Sequence, residues 1–262
     1  MNEEQSVGNP PDYNSPDYNS PDLGFLDLTA WGHGLATIST PGPESNQEPV
    51  LLDVWYPRPM LGDPGQTHPP VGFEAPSIIT EAVRQDPIRG VETFVVFTAS
   101  NLAEPPVDVA DAYLRLHLLS HRLVKPNTVN LNGLNDILPE VVWTDIGPCL
   151  PEDFEQVQFR ARTQEGKSLT VHSVGKIPRM VDYVVPTDVR ISDPDKVKLG
   201  AHLAPGTTVA HNGVVEHNAG TQGRTRVEQH IGAGHFMPAH HGDSETRGRE
   251  APHVTNSDHL AY

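Results

Sequence analysis

Histidines that recur in pairs, and single carboxylates set into a repeat that otherwise takes small or aliphatic residues, are the side chains whose spacing could do chemistry. His117 and His121 stand four apart, which puts two imidazoles on one helix face as zinc hydrolases use them. Leu118 sits where such a site needs its glutamate base, so the pair reads as packing. His217 and His235 are 18 apart, and His211 holds the slot equivalent to His217. A three-sided coil of six-residue units would stack them in successive layers, where zinc shared between subunits would lower the pKa of its bound water. Fourteen histidines make such coincidences easy. Asp195 falls where a small residue is usual. A buried unpaired charge is costly, so it must meet a cation, a donor or solvent. Glu228 follows Val227 in a slot where acidic residues are common, and its position alone says little about catalysis. Cys149, the only cysteine, reads as a small, partly buried thiol rather than a nucleophile, and it excludes an intrachain disulfide framework.

The repeat that carries these residues is regular. An aliphatic residue recurs every six positions at Val185, Ile191, Val197, Leu203, Val209 and Val215, and after Thr221 the register resumes at Val227. The fifth residue of each unit is small or β-branched at Val189, Ala201, Thr207, Ala219 and Thr225, with Gly213 close to type. A helix has no such period and neither does a flat strand, whereas a parallel β-solenoid does, each unit burying its aliphatic residue by stacking on the next. Hexapeptide coils are left-handed, against the usual rule for parallel crossovers. The register fades after about Ala233, leaving roughly three coils.

Upstream, the sequence predicts an α/β head. Strands are expected at 34–39, 50–56 and 91–98, with further strands at 141–144 and 169–172 and a short helix over 151–159. The best helix is expected over 107–124, with Asp108 and Asp111 at its start, Pro126 after its end, and a buried face of Ala112, Leu116, Leu119 and Leu123. Residues 57–90 give no firm reading. The sequence divides into a polar tail at 1–24 containing Pro-Asp-Tyr-Asn-Ser twice, an α/β domain at 25–180, a partial left-handed parallel β-helix (hexapeptide-repeat solenoid) at 181–237, and a polar segment at 238–262. Both ends are expected to be disordered.

Acidic residues outnumber basic ones 34 to 18, for a formal charge of −16, so a phosphate-binding surface for nucleic acid is not expected. The N-terminus lacks the pattern of a signal peptide, and no apolar run is long enough to cross a bilayer. The reading is a soluble cytoplasmic protein with no membrane partner.

Several stretches resemble the actinobacterial type of tetrahydrodipicolinate N-succinyltransferase. They are Asp111-Ala112-Tyr113-Leu114-Arg115-Leu116-His117-Leu118-Leu119-Ser120-His121-Arg122-Leu123-Val124, Val141-Val142-Trp143-Thr144, Pro178-Arg179-Met180-Val181-Asp182-Tyr183-Val184-Val185-Pro186, Leu199-Gly200-Ala201-His202-Leu203-Ala204-Pro205-Gly206-Thr207-Thr208-Val209 and Asn218-Ala219-Gly220-Thr221. The resemblance implies a homotrimer built through a left-handed helix, with active sites between subunits. It also implies transfer of succinyl from succinyl-CoA to the amino group of the ring-opened imine in lysine and diaminopimelate synthesis. By resemblance, Glu228 matches the catalytic glutamate and Asp195 an aspartate that helps hold magnesium on the threefold axis. Asn212 stands in place of a second metal-binding carboxylate, His230 in place of an arginine that contacts the coenzyme, and Gln229 in place of a glycine. The family continues for several more glycine-rich coils. Two other readings follow: a catalytically dead, truncated paralogue that forms mixed trimers with a full-length subunit, and a hexapeptide zinc enzyme of the carbonic anhydrase type.

Overall fold

The computed structural model describes residues 28–41, 48–64 and 75–239. The tail expected at 1–24, and all of the expected C-terminal segment but its first two residues, lie outside them.

The head begins with β1 (Thr29–Ser39), β2 (Leu51–Trp55), β3 (Met60–Leu61), α1 (Ser77–Thr80), β4 (Gln85–Asp86) and β5 (Val91–Asn101). These strands form one antiparallel sheet in the order β2-β1-β5-β4, with β3 also on β1. Side chains alternate across it as strand geometry requires. Leu52 and Val54 face inward with no exposed surface, and Asp53 and Trp55 face the other way. β1 and β5 run longer than the apolar runs suggested, because β1 pairs with β5 along its whole length, Thr29 opposite Asn101 and Ser39 opposite Val91.

The central helix α2 spans Val109–Ser120. It starts two residues later than expected because the Asp108 side chain caps it, accepting the Asp111 amide at 2.8 Å, and leaves Val107 80% exposed. It stops earlier because Arg122 takes a left-handed φ of 62°. Every residue from Asp111 to Ser120 is buried, not one face alone, since the head sheet covers one side and the coil the other. Leu116 belongs to a hydrophobic cluster that runs from Ala30 and Leu52 to Val197, Val209 and Val227. Gly200 meets this helix so closely, at φ +91°, that a Cβ there would lie 2.6 Å from Leu116 Cδ2.

After α2 come α3 (Leu134–Ile137), β6 (Val141–Thr144), β7 (Gly147–Cys149), α4 (Phe154–Arg160) and β8 (Val171–Gly175). The last three strands make a second antiparallel sheet in the order β7-β6-β8. Helix α4 runs on into a π turn at Ala161–Glu165 that Gly166 closes at φ +67°. Cys149 lies inside this module with no exposed surface, and burial pushes its thiol up to about 11, which agrees with the inert reading.

From residue 190 the described residues make only two-residue strands: β9 (Arg190–Ile191), β10 (Thr208–Val209), β11 (Val214–Val215), β12 (Gly220–Thr221), β13 (Arg226–Val227), β14 (His230–Ile231) and β15 (Phe236–Met237). Their pairing is parallel. Arg190 stands opposite Thr208 and Thr208 opposite Arg226; Val197 pairs with Val215, and His202 with Gly220. Each offset is 18 residues, which is three six-residue units per turn. Val197, Leu203, Val209, Val215 and Val227 are all buried to within 1%, and so are Ala201, Thr207 and Ala219 at the fifth positions.

Two features depart from the counted register. Val185 is 78% exposed, and Val184 packs inward instead because its amide bonds Met180 in the short 3-10 turn that precedes the coil. The last turn pairs Val214 with His230 and Gly220 with Phe236, an offset of 16. The corner between β13 and β14 holds only Glu228 and Gln229, where the corner between β10 and β11 holds Ala210 to Gly213. Ile231, not Ala233, is therefore the next inward residue, and the rungs continue to Met237.

Candidate functional site along one edge of the coil

The ladder registers place Asp195, Asn212 and Glu228 at the same corner of three successive turns. Val214 pairs with His230, which sets Asn212 level with Glu228, while Val197 pairs with Val215, which sets Asp195 level with Gly213, one residue along the same corner. The candidate residues thus share an edge. Each carboxylate there already has a partner: Asp195 accepts from Arg179 Nη1 at 2.9 Å, and the same guanidinium holds Asp182 through Nε at 2.7 Å. Paired acids keep the Arg179 guanidinium firmly protonated, the Asp182 hydrogen bond contributing most. Glu228 is exposed and pairs with Arg226 Nε, two residues back on the outer face of β13. His230 lies on the same outer surface, its Nε2 3.4 Å from Glu216 Oε1 on the turn below. Asn212 is exposed.

The histidine pairs do not form metal sites as they stand. His117 has no exposed surface; its Nδ1 meets the Tyr113 carbonyl at 2.8 Å and its Nε2 accepts the Tyr56 amide at 3.2 Å. These bonds fix the neutral tautomer with Nδ1 protonated, and burial holds its pKa down to about 3, so it packs as the missing glutamate base implied. His217 and His235 do not stack. The two-residue corner shifts the last turn, so His235 falls beside Ala219, its carbonyl accepting the Gly220 amide at 3.1 Å. Among the described residues no three of His, Cys, Asp and Glu converge as ligands would.

Several buried charged groups escaped the sequence reading, Arg115 and Asp53 among them. Arg115 on α2 is 1% exposed and bonds Asp111, Ser100 and the carbonyls of Asn101, Glu104 and Asn130. Asp53 is 6% exposed and accepts the Tyr183 hydroxyl at 2.5 Å. A carboxylate in the middle of Leu51-Leu52-Asp53-Val54-Trp55 was the available signal, since a buried strand rarely carries one without a partner.

With that geometry established, similarity to known proteins becomes informative. The family model for the middle part of tetrahydrodipicolinate N-succinyltransferase matches residues 138–179, the module of β6, β7, α4 and β8. A 2,3,4,5-tetrahydropyridine-2,6-dicarboxylate N-succinyltransferase from Salinispora tropica is 46% identical over 210 residues, covering 78% of this chain and 62% of its own length. This chain is a homologue of the tetrahydrodipicolinate N-succinyltransferases. The Pseudomonas aeruginosa enzyme of the same name is 39% identical over 216 residues, covering 73% of this chain and 62% of its own length. A solved structure from Campylobacter jejuni, described as a candidate 2,3,4,5-tetrahydropyridine-2-carboxylate N-succinyltransferase, shares the fold. Its TM-score is 0.61 at 22% identity, over 84% of this chain and 66% of that one. The chain spans about three fifths of the length of the curated relatives it matches. No helix among the described residues is long and apolar enough to cross a membrane.

Proposed function

We infer that this chain is an acyltransferase of its relatives' kind, moving succinyl from succinyl-CoA to the amino group of ring-opened tetrahydrodipicolinate. The 46% identity to the Salinispora tropica enzyme, which covers 78% of this chain, carries that reading. In the reaction the amine nitrogen bonds to the thioester carbonyl carbon, the C–S bond breaks, and the amine proton passes to a carboxylate base and on to the departing thiolate. Glu228 is the residue for that proton: it is exposed on the coil edge, and Arg226 beside it orients the carboxylate. His230 stands where the coenzyme would be gripped, with Glu216 steering its ring. The coil is read as left-handed and the working unit as a homotrimer with sites between neighbouring edges. Magnesium on the trimer axis does not fit the donors as they stand, because Asp195 is committed to Arg179 and Asn212 supplies an amide where a hard cation favours carboxylate oxygen. No step of the reaction runs through a metal.

Purified protein given both substrates is expected to release CoA thiol, and Glu228→Gln to slow that release at least about 100-fold, the usual size of a general-base contribution. A full rate in the variant would remove Glu228 from the mechanism. The two-residue corner at Glu228-Gln229 favours the second reading, a trimer-forming subunit without activity. Wild-type protein that assembles but releases no CoA would establish that reading instead.

A further inference from the structure

We propose that the cleft where the two head sheets meet the entry to the coil binds a small organic cation through a primary ammonium group. The cleft encloses about 460 Å³ and is lined by Asp53, Trp55, Trp143, Asp145, Arg179, Asp182 and Tyr183, among others. That volume is within the range of small-molecule sites, which favour junctions of this kind.

Asp53 is the feature that points to a ligand. One carboxylate oxygen takes the Tyr183 hydroxyl, while Oδ1 is buried and has no donor in hydrogen-bond geometry. Thr37, opposite it on β1, eases the charge through its hydroxyl without closing such a bond to Oδ1. A buried carboxylate oxygen left without a donor is costly, and native proteins keep few of them. Burial pushes this carboxyl above the ordinary carboxylate range, against the pull of Thr37, Tyr183 and Arg89, and a cation bound at Oδ1 would favour its charged form.

The surroundings select the ligand class. Three aspartates, Asp53, Asp145 and Asp182, line the cleft against one guanidinium, and Arg179 is already bonded to Asp182 and Asp195. His172 also lines the cleft, but the three carboxylates outnumber the cationic groups around them, so a cation meets excess acceptor. Tyr183 occupies one oxygen of Asp53, which leaves a single acceptor and denies a guanidinium its two-pronged carboxylate contact; an ammonium needs only one. Trp55 and Trp143 stand beside the cleft in fixed orientations, their indole N–H groups donating to the carbonyls of Tyr183 at 3.2 Å and Gly175 at 2.8 Å. Ring faces so held attract a positive charge. Nothing in this site depends on the acyl-transfer reading.

The test is a fluorescence titration of the purified full chain with n-butylammonium chloride, read through its tryptophans. A saturable change is expected with n-butylammonium. Binding at least tenfold weaker is expected for 1-butanol, which lacks the charge, and for tetramethylammonium, which cannot donate a hydrogen bond. Asp53→Asn is expected to weaken n-butylammonium binding at least tenfold while keeping the wild-type circular dichroism spectrum. A wild-type titration that never saturates, or that responds equally to n-butylammonium and tetramethylammonium, overturns the proposal without reference to any variant. So does a folded Asp53→Asn protein that binds as well as wild type.

Discussion

Arg115→Met is expected to lower folding stability by about 3 to 5 kcal/mol, the usual result of removing one partner from a buried ion pair. The guanidinium is 1% exposed, and its bonds reach Asp111 on its own helix, Ser100 at the end of β5, and carbonyls in two loops. Without it the Asp111 carboxylate, whose side chain is 3% exposed, is left buried and unpaired, and several carbonyls lose their donor. A longer apolar side chain fills the volume and cannot repair either loss. Urea unfolding followed by circular dichroism measures the change. Adding Asp111→Asn to Arg115→Met should recover part of the loss, because the stranded charge is gone. A single variant within 1 kcal/mol of wild type would mean that the network adds little to stability.

Acid is expected to destabilise the protein long before its carboxylates titrate. His117 and His202 are buried neutral, with pKa values held down to about 3 and about 4, mainly by burial. His202 Nδ1 meets the Val124 carbonyl at 2.9 Å, so it joins the end of the helix segment to the coil. In the unfolded chain each ring takes a proton near pH 6.5, and in the folded protein neither does until far lower pH. Their contribution is therefore complete above about pH 6.5 and declines as pH falls from there towards 3 to 4. At pH 5 the loss is about 2 kcal/mol per histidine, or about 4 kcal/mol for the pair. Asp53 works the other way: its raised pKa makes ionisation costly in the folded protein, so acid relieves that cost. Measured between pH 7 and 5, the urea midpoint of wild type should fall, and His202→Gln should flatten the slope by close to one proton. An unchanged slope in His202→Gln would show that this ring does not stay neutral in the fold.

The coil was legible in the sequence because its inward residues face a dry interior at fixed intervals, and burial selects aliphatic and small side chains there regardless of what the corners carry. Corners are solvent-facing and leave no such trace, so the loss of two residues at Glu228-Gln229 was invisible. Counting on by six past Val227 led to Ala233 and a false stacking of His217 with His235. Val185 fitted the period by chance, one residue beyond the side chain that packs. The period brings Asp195, Asn212 and Glu228 to one corner, but the alignment of Glu228 with Asn212 depends on the shortened corner, and the cations that hold the two acids do not follow from the period either: Arg179 lies before the coil begins. The buried Asp53 was harder still, since Tyr183 is 130 residues away in the chain and no local pattern joins them. In α2, amphipathic reasoning gave one buried face, and the structure buries both because the coil packs on the side opposite the sheet.

The shared edge exists only if the chain winds into a three-sided coil, and cysteine pairs across its rungs measure that coil directly. Facing residues on adjacent parallel rungs are about 5 Å apart, within the span of a disulfide, whereas a step of two residues along one rung separates them by about 8 Å, outside it. Thr208→Cys with Arg226→Cys tests the 18-residue turn, and Val214→Cys with His230→Cys the shortened one. Both pairs should close under mild oxidation in folded protein. Val214→Cys with Gly232→Cys, which an unbroken 18-residue period would place face to face, should stay reduced. Failure of the 208–226 pair to close in folded protein would contradict the coil, and closure of 214–232 in preference to 214–230 would contradict the two-residue corner that sets the position of Glu228.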